Sequence, residues 1–244
     1  MKDRFTIDIL SPSYLVGQDK KLTSWGYMSL FQELSYLGSE SVGMGEERMT
    51  SMGYAWVLIR ERFKVLEPVG MNVPIRLETW HRGLQGLYFV REYRIKDMEG
   101  SLLAAASGMC VLISLEDRRL RRIDHVENLG DKSPQSTESF FDDFPPKLEI
   151  PEGQDSGLAL PRTVYSSDVD LVGHLNNINY IKYAADFEAL HPDAVNSPSD
   201  VTINFIKEAH LGEELSIRRW HSGGVSTHLI SHDGAPLMLA SFKK

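Results

Sequence analysis

The chain repeats itself, and that repeat limits its possible folds more than any other feature. Ile75-Arg-Leu-Glu-Thr-Trp80-His81-Arg-Gly83 returns as Leu215-Ser-Ile-Arg-Arg-Trp220-His221-Ser-Gly223, 140 positions later. Gly100 through Ser107 returns as Gly234 through Ser241 after 134 positions, and Leu22–Tyr27 aligns with Leu175–Tyr180 after 153. Offsets that drift in one direction are what duplication of one helix-plus-antiparallel-sheet unit leaves after loops change length. Chance likeness between short strands is the alternative, and three matches in the same order weigh against it. A unit this small buries its helix incompletely alone, so the two copies are expected to pack together.

Local patterns fill in the unit. Tyr27, Leu30, Phe31, Leu34 and Leu37 form an apolar stripe at helical spacing, predicting a helix over 24–39. Trp25, Tyr27 and Phe31 are assigned to packing of that helix, with the lining of an apolar tunnel as the alternative. Tyr180, Ile181, Ala184 and Phe187 predict a second helix over 176–190. Strands are expected over 4–10, 56–65, 75–80, 87–95, 102–115, 202–206, 214–220, 226–230 and 237–242. Met98-Glu99-Gly100 and His232-Asp233-Gly234 each fit a hairpin turn. Residues 131–156 carry Pro134, Pro145-Pro146 and Pro151 with no sustained period and read as a linker. The expected fold is α+β, with a first repeat over 1–125, a linker over 126–160 and a second repeat over 161–244.

Composition removes several classes of function. No apolar run in the 244 residues approaches the roughly 18 needed to cross a bilayer. The start, Met1-Lys2-Asp3-Arg4-Phe5, runs into strand-like alternation without a signal-peptide core. With one cysteine, Cys110, there is no intramolecular disulfide, and a cytoplasmic location is expected. The net charge of −8 argues against general nucleic-acid binding. Residues 126–244 hold 9 basic and 18 acidic groups, leaving the front of the chain near neutral with local basic clusters. Arg118–Arg122, Arg60/Arg62/Lys64 and Arg218/Arg219 are each candidate docking points for a small acidic partner. There is no Gly-x-Ser-x-Gly elbow, P-loop or dinucleotide fingerprint. His228 and His232 are read as surface residues and not zinc ligands; His81 and His221, at matching repeat positions, are read as structural. No metal or cofactor is expected.

One segment concentrates chemistry: Asp168-x-Asp170-x-x-Gly173-His174-x-Asn176-Asn177-x-x-Tyr180. It joins a strand to a helix. A glycine there allows close backbone approach, a helix start offers N–H groups to a carbonyl, and Asp170 and His174 supply acid–base groups beside them. The same residues could serve only to cap the helix and fold the loop. The residues alone leave both readings open.

The segment resembles the active-site stretch of hotdog-fold thioesterases. It is most similar to that of the acyl-acyl-carrier-protein (acyl-ACP) thioesterases, whose chains hold two hotdog repeats in tandem, each a long helix wrapped by an antiparallel β-sheet. Trp56-Val-Leu-Ile-Arg60, Leu77-Glu-Thr-Trp80 and Leu120-Arg-Arg-Ile123 resemble that family's first repeat. The resemblance implies hydrolysis of fatty acyl-ACP thioesters to free fatty acid and carrier protein, in a bacterial cytoplasmic member. It marks Asp170, His174 and Glu208 as catalytic, and it leaves one active site per chain because Lys21 stands where the second repeat has His174. The carbonyl is then expected against N–H groups around Gly173–Leu175, beside Asn176 and Asn177. Asp170 acts as general base or as nucleophile, His174 orients water and helps the thiolate leave, and Glu208 supports His174. Two positions depart from the plant pattern: Val172 replaces an asparagine and Ala209 a cysteine. Cys110 reads as inert core, which excludes a cysteine nucleophile. Hydrolysis of acyl-CoA by the same fold, and acyl binding without hydrolysis, are the alternatives. Acidic acyl carrier protein is the implied partner, and pairing of two chains as a homodimer is compatible with the repeat.

Overall fold

The computed structural model describes residues 4–126, 135–153, 155 and 160–244. The chain begins with β1 (Phe5–Leu10), a 3-10 turn at Ser13–Leu15, the long helix α1 (Ser24–Ser41) and the short helix α2 (Glu46–Ser51). It continues through β2 (Tyr54–Val65), β3 (Pro74–Gln85), β4 (Tyr88–Lys96), β5 (Leu102–Ser114) and the two-residue β6 (Leu120–Arg121). After the linker come β7 (Leu160–Thr163), a 3-10 turn at Ser166–Asp168, α3 (Asn177–Glu188), β8 (Asp200–Phe205), β9 (Glu214–Ser222), β10 (Val225–His232) and β11 (Ala235–Lys243). No described helix is long and apolar enough to cross a membrane.

Among the described residues the strands form one antiparallel sheet in the order β1-β3-β4-β5-β2-β8-β11-β10-β9-β7, with β6 on β5. This order reads the same outward from the β2–β8 seam, so each half of the sheet repeats the other. At the seam Glu61 faces Ile203 and Phe63 faces Val201. Two isolated bridges repeat as well: Val16–Leu22 matches Val169–Leu175, and Lys21–Gly70 matches His174–His210. The sequence offsets therefore correspond to real structural equivalence, down to the loop that precedes each helix.

Helices α1 and α3 touch and lie on one face of the sheet. Tyr27, Leu30, Phe31 and Leu34 of α1 and Tyr180, Ile181, Ala184 and Phe187 of α3 are buried in a shared core with Phe63, Tyr93, Ile203 and Phe242. Tyr27 and Phe31 thus pack as core, while Trp25 is only partly buried. Each helix is capped by a side chain: Thr23 accepts from the Gly26 N–H at 2.9 Å, and Asn176 from the Ile178 N–H at 2.9 Å. The start of each long helix is also tied by a tyrosine to the segment that follows β2 or β8. The Tyr27 hydroxyl accepts from the Val69 N–H at 3.0 Å, and the Tyr180 hydroxyl donates to the Lys207 carbonyl at 3.4 Å.

The segment read as a linker is structural over its described part. It runs across the other face of the sheet, where Trp80 Nε1 donates to the Glu138 carbonyl, Ser139 donates to Glu92 at 3.2 Å, and the Leu148 N–H donates to Asn204. Helix α2 carries no long apolar stripe and was not expected; Met49 anchors it over Phe89 and Leu112 in a second apolar cluster. Strand β7 begins at Leu160, inside the expected linker, because it pairs with β9 as β1 pairs with β3.

Candidate active site

The loop before α3 is folded by its own polar side chains. Asp168 is buried and accepts from the Tyr165 N–H at 2.9 Å. One oxygen of Asp170 accepts from the Val172 N–H at 3.0 Å and the His174 N–H at 3.1 Å, while the Asp170 N–H donates to the His174 carbonyl at 2.8 Å. Gly173 closes this turn at φ +84, a conformation that L side chains rarely adopt. Asn179 Nδ2 donates to the Asp168 carbonyl at 3.0 Å. These bonds present the side chain of His174 and leave Asp170 Oδ2 without a partner among the described residues.

The expected carbonyl site at Gly173–Leu175 needs correction. The Gly173 N–H donates to the Asp170 carbonyl at 3.1 Å, the His174 N–H to Asp170 Oδ1, and the Leu175 N–H to the Ala209 carbonyl at 2.8 Å. The bridges Val169–Leu175 and His174–His210 pin the loop and use up these donors. Asn177, the first residue of α3, is different: its N–H has no acceptor among the described residues, as expected for a first-turn amide. The donor open to a ligand thus lies at Asn177.

Glu208 approaches from the other side of the site. It lies beyond β8, which ends at Phe205 where the Ile206 and Lys207 N–H groups turn to the Leu237 carbonyl. Glu208 Oε2 sits 3.5 Å from His174 Nδ1. Arg118 Nη2 contacts both Glu208 oxygens, at 2.6 and 2.5 Å. His210 stands edge-on to His174, with ring centroids 5.1 Å apart. Ligand atoms of His174, Glu208 and His210 lie within 4.8 Å of one another, a spacing that could hold a metal ion. Arg118 already engages both oxygens of Glu208, which opposes a second cation there. The sequence marked Arg118 only as part of a docking cluster and did not mark His210. The spacing Glu208-x-His210 was the one sequence signal for His210; Arg118 had none as a partner of Glu208, which lies 90 positions away.

The other marked residues separate clearly. Val172 is 62% exposed, whereas Ala209 is fully buried and contributes its carbonyl to the Leu175 bond. Burial pushes the Cys110 thiol up to about 12, so it stays protonated and unreactive. His228, expected at the surface, is fully buried: its Nε2 lies 2.9 Å from Glu188, and its ring packs on Phe242. Its strand alternates inward at that residue, which the neighbouring Gly turn disguised. Arg219 is also buried, bound to Glu188 at 2.6 Å, and cannot dock a partner. Arg62, Arg121 and Arg122 are paired with Asp200, Asp117 and Asp124. Arg60, Lys64 and Arg119 have no carboxylate partner among the described residues.

Comparison with known proteins places this arrangement. A model of the acyl-ACP thioesterase N-terminal domain matches residues 2–127, and one of the C-terminal domain matches residues 153–241. The chloroplastic oleoyl-acyl carrier protein thioesterase 2 of Arabidopsis thaliana is 27% identical over 71% of this chain and 51% of its own length. The chloroplastic dodecanoyl-[acyl-carrier-protein] hydrolase of Umbellularia californica is 24% identical over 93% of this chain and 63% of its own. The chain thus spans between half and two thirds of the length of these curated relatives. Among solved structures, the 12:0-ACP thioesterase from Umbellularia californica superposes with a TM-score of 0.83 at 21% identity, covering 98% of this chain and 96% of that one. An acyl-ACP thioesterase from Bacteroides thetaiotaomicron gives 0.81 at 18% identity over 98% and 97%. These neighbours share the α+β double-hotdog fold. On its two matched domains, this chain belongs to the acyl-ACP thioesterase family.

Proposed function

We propose that the protein hydrolyses fatty acyl-ACP thioesters, releasing a fatty acid and the carrier protein's thiol. The observation that carries this reading is the meeting of His174 with Glu208 and Arg118 beside the Asp170 loop and the open N–H of Asn177. The thioester carbonyl rests against Asn177, whose N–H stabilises the developing oxyanion. Asp170, through its unpartnered Oδ2, takes a proton from water as it attacks the carbonyl carbon, or attacks that carbon itself to give a mixed anhydride that water then hydrolyses to the fatty acid and free Asp170. The C–S bond then breaks, and His174 delivers a proton to the departing thiolate. Glu208 holds the His174 ring, and Arg118 fixes Glu208. Residues 161–244 supply this chemistry, while residues 1–125 hold the acyl chain and lend Arg118. The acidic carrier protein docks on basic groups left unpaired, of which Arg60, Lys64 and Arg119 are candidates.

The deciding experiment measures fatty acid release from purified acyl-ACP and from acyl-CoA, for the wild type and for Asp170→Asn. Turnover on acyl-ACP that falls at least 100-fold in the variant supports the reading. Faster turnover on acyl-CoA assigns the same chemistry to a different thioester. Retained acyl binding with no turnover on either makes the protein a non-catalytic acyl-binding protein.

A further inference from the structure

The register of the sheet equates residues in the two halves, and one layer differs in kind. Gly108 corresponds to Phe242 by the sequence repeat, and these two face Glu61 and Val201 respectively. Tyr93 corresponds likewise to His228, since Glu92 faces Trp80 as Thr227 faces Trp220. In the second half Phe242 fills the layer and packs on His228, whose partner Glu188 is bonded to Arg219 and Ser226 as well. In the first half there is no side chain at Gly108. A Cβ placed there would lie 3.3 Å from the Tyr93 hydroxyl and 3.5 Å from Leu58, so the notch has room for little more than a hydrogen.

Glu61 borders this notch. It is 2% exposed, and its Oε1 has no hydrogen-bond partner among the described residues. A buried carboxyl left in that condition is costly, and a site that keeps one has a use for it. Burial holds it in its neutral form, pushed up to about 8, so at neutral pH it can donate as well as accept. Beside it Cys110, on the helix-facing side of β5, is only half-buried, which indicates open space in the interior. The inward residues between this layer and the open end of β2 are Leu58, Trp56, Cys110 and Leu112, all apolar or weakly polar. Glu208 follows β8, four residues beyond Asn204, which faces Arg60. Glu208 bonds Arg118, whose N–H donates to Ser114, and Ser114 faces Tyr54 at the start of β2, so the candidate catalytic groups lie toward that end of the strand.

We infer that Glu61, with the Tyr93 hydroxyl over Gly108, forms a polar terminus to an otherwise apolar acyl channel, and that it selects acyl chains bearing a hydroxyl near the far end. This rests on the proposed acyl-ACP reading for the location of the thioester. The substrate hydroxyl donates to or accepts from Glu61, satisfying the oxygen that the protein leaves without a partner. A plain hydrocarbon end leaves it unsatisfied.

Calorimetric binding of free acids tests this without requiring turnover. The probes are dodecanoic, 12-hydroxydodecanoic, hexadecanoic and 16-hydroxyhexadecanoic acids, with wild type, Glu61→Leu and Glu61→Gln. The expected result is at least tenfold tighter binding of one hydroxylated acid than of its plain partner by wild type. The preference is expected to be lost or reversed in Glu61→Leu and partly kept in Glu61→Gln. Far-UV circular dichroism checks that each variant is folded. Equal binding of each pair by wild type, or an unchanged preference in folded Glu61→Leu, overturns the inference. Release of fatty acid from plain acyl-ACP, measured separately, tests the underlying reading, so hydrolysis without hydroxyl preference rejects only the polar terminus. Hydroxyl preference without hydrolysis rejects only the enzyme.

Discussion

At the scale of single residues, the site is held by charges that come from opposite halves of the chain. Arg118 at the β5–β6 turn fixes Glu208 beyond β8, and Glu208 faces His174. Arg118→Ala is expected to lower kcat on acyl-ACP by 10- to 100-fold with little change in KM, and Arg118→Lys to recover part of the loss. A KM effect with unchanged kcat would instead make Arg118 a docking residue. Glu61 gives a prediction of opposite character, on stability. Its folded pKa is raised, so the folded state keeps a proton that the unfolded chain loses above about pH 4.3. Glu61 therefore destabilises the fold increasingly between about pH 4.3 and the folded value near 8, and not below that window. Glu61→Gln is expected to raise denaturant stability at pH 8, by on the order of 5 kcal/mol, with the gain vanishing near pH 4. A gain independent of pH would show that Glu61 is not neutral in the fold. Residue types in the Asp168–Tyr180 segment were legible from the chain because they sit together. Arg118 and the buried state of Glu61 were not, since both depend on strands that meet only after folding.

At the scale of elements, each helix depends on a cap and on a polar anchor. Thr23 and Asn176 do the same structural work, each accepting from a first-turn N–H. Thr23→Ala and Asn176→Ala are each expected to cost about 1 kcal/mol of stability. Only Asn176→Ala should also reduce turnover, because it borders the open donor at Asn177. Equal loss of activity in both variants would reduce the α3 start to a structural role. The far end of α3 is anchored by Glu188. Burial pushes its carboxyl up, but hydrogen bonds from His228 and Arg219 hold it well below the usual carboxylate range. Burial lowers the pKa of His228, which is thus neutral in the fold. Both folded values lie below their unfolded ones: His228 begins to cost stability as pH falls below about 6.5, and the stability that Glu188 gives is present above about pH 4.3 and lost as pH falls below it. Stability is expected to start dropping below about pH 6.5 and to drop further below about pH 4.3, and His228→Gln to flatten the upper part of that drop. The helices and most strands were readable from periodicity. Helix α2 was not, because six residues give no period to read, and neither was inward-facing His228, because a buried histidine in a strand looks like a surface one until its carboxylate partner is placed.

At the scale of the whole molecule, the duplicated unit could have left two independent domains joined by a linker. The sheet instead runs through both halves, with β2 and β8 paired from Arg60–Asn204 to Lys64–Asp200. The described part of the linker lies over the sheet and bonds to both halves, through Trp80 in the first and Asn204 in the second. Phe63 of the first half and Phe242 of the second share one apolar core with both long helices. The repeat was legible in the sequence, but not this continuity, since neither the pairing of edge strands nor the covering of a sheet face leaves a periodic trace. A shared core makes unfolding cooperative across the halves. Phe63→Ala removes a fully buried ring beside the seam and is expected to cost about 3–5 kcal/mol. Trp220, the single tryptophan after residue 126, reports the second half, provided that the other tryptophans are replaced by phenylalanine. In that background the urea midpoint by Trp220 fluorescence should fall together with the midpoint by far-UV circular dichroism. If the Trp220 midpoint stays in place while the dichroism splits into two steps, the halves unfold separately and the seam contributes little. A coincident fall means that a substitution in one repeat weakens the other, and that the candidate site, whose charges are drawn from both, is stable only while the seam is intact.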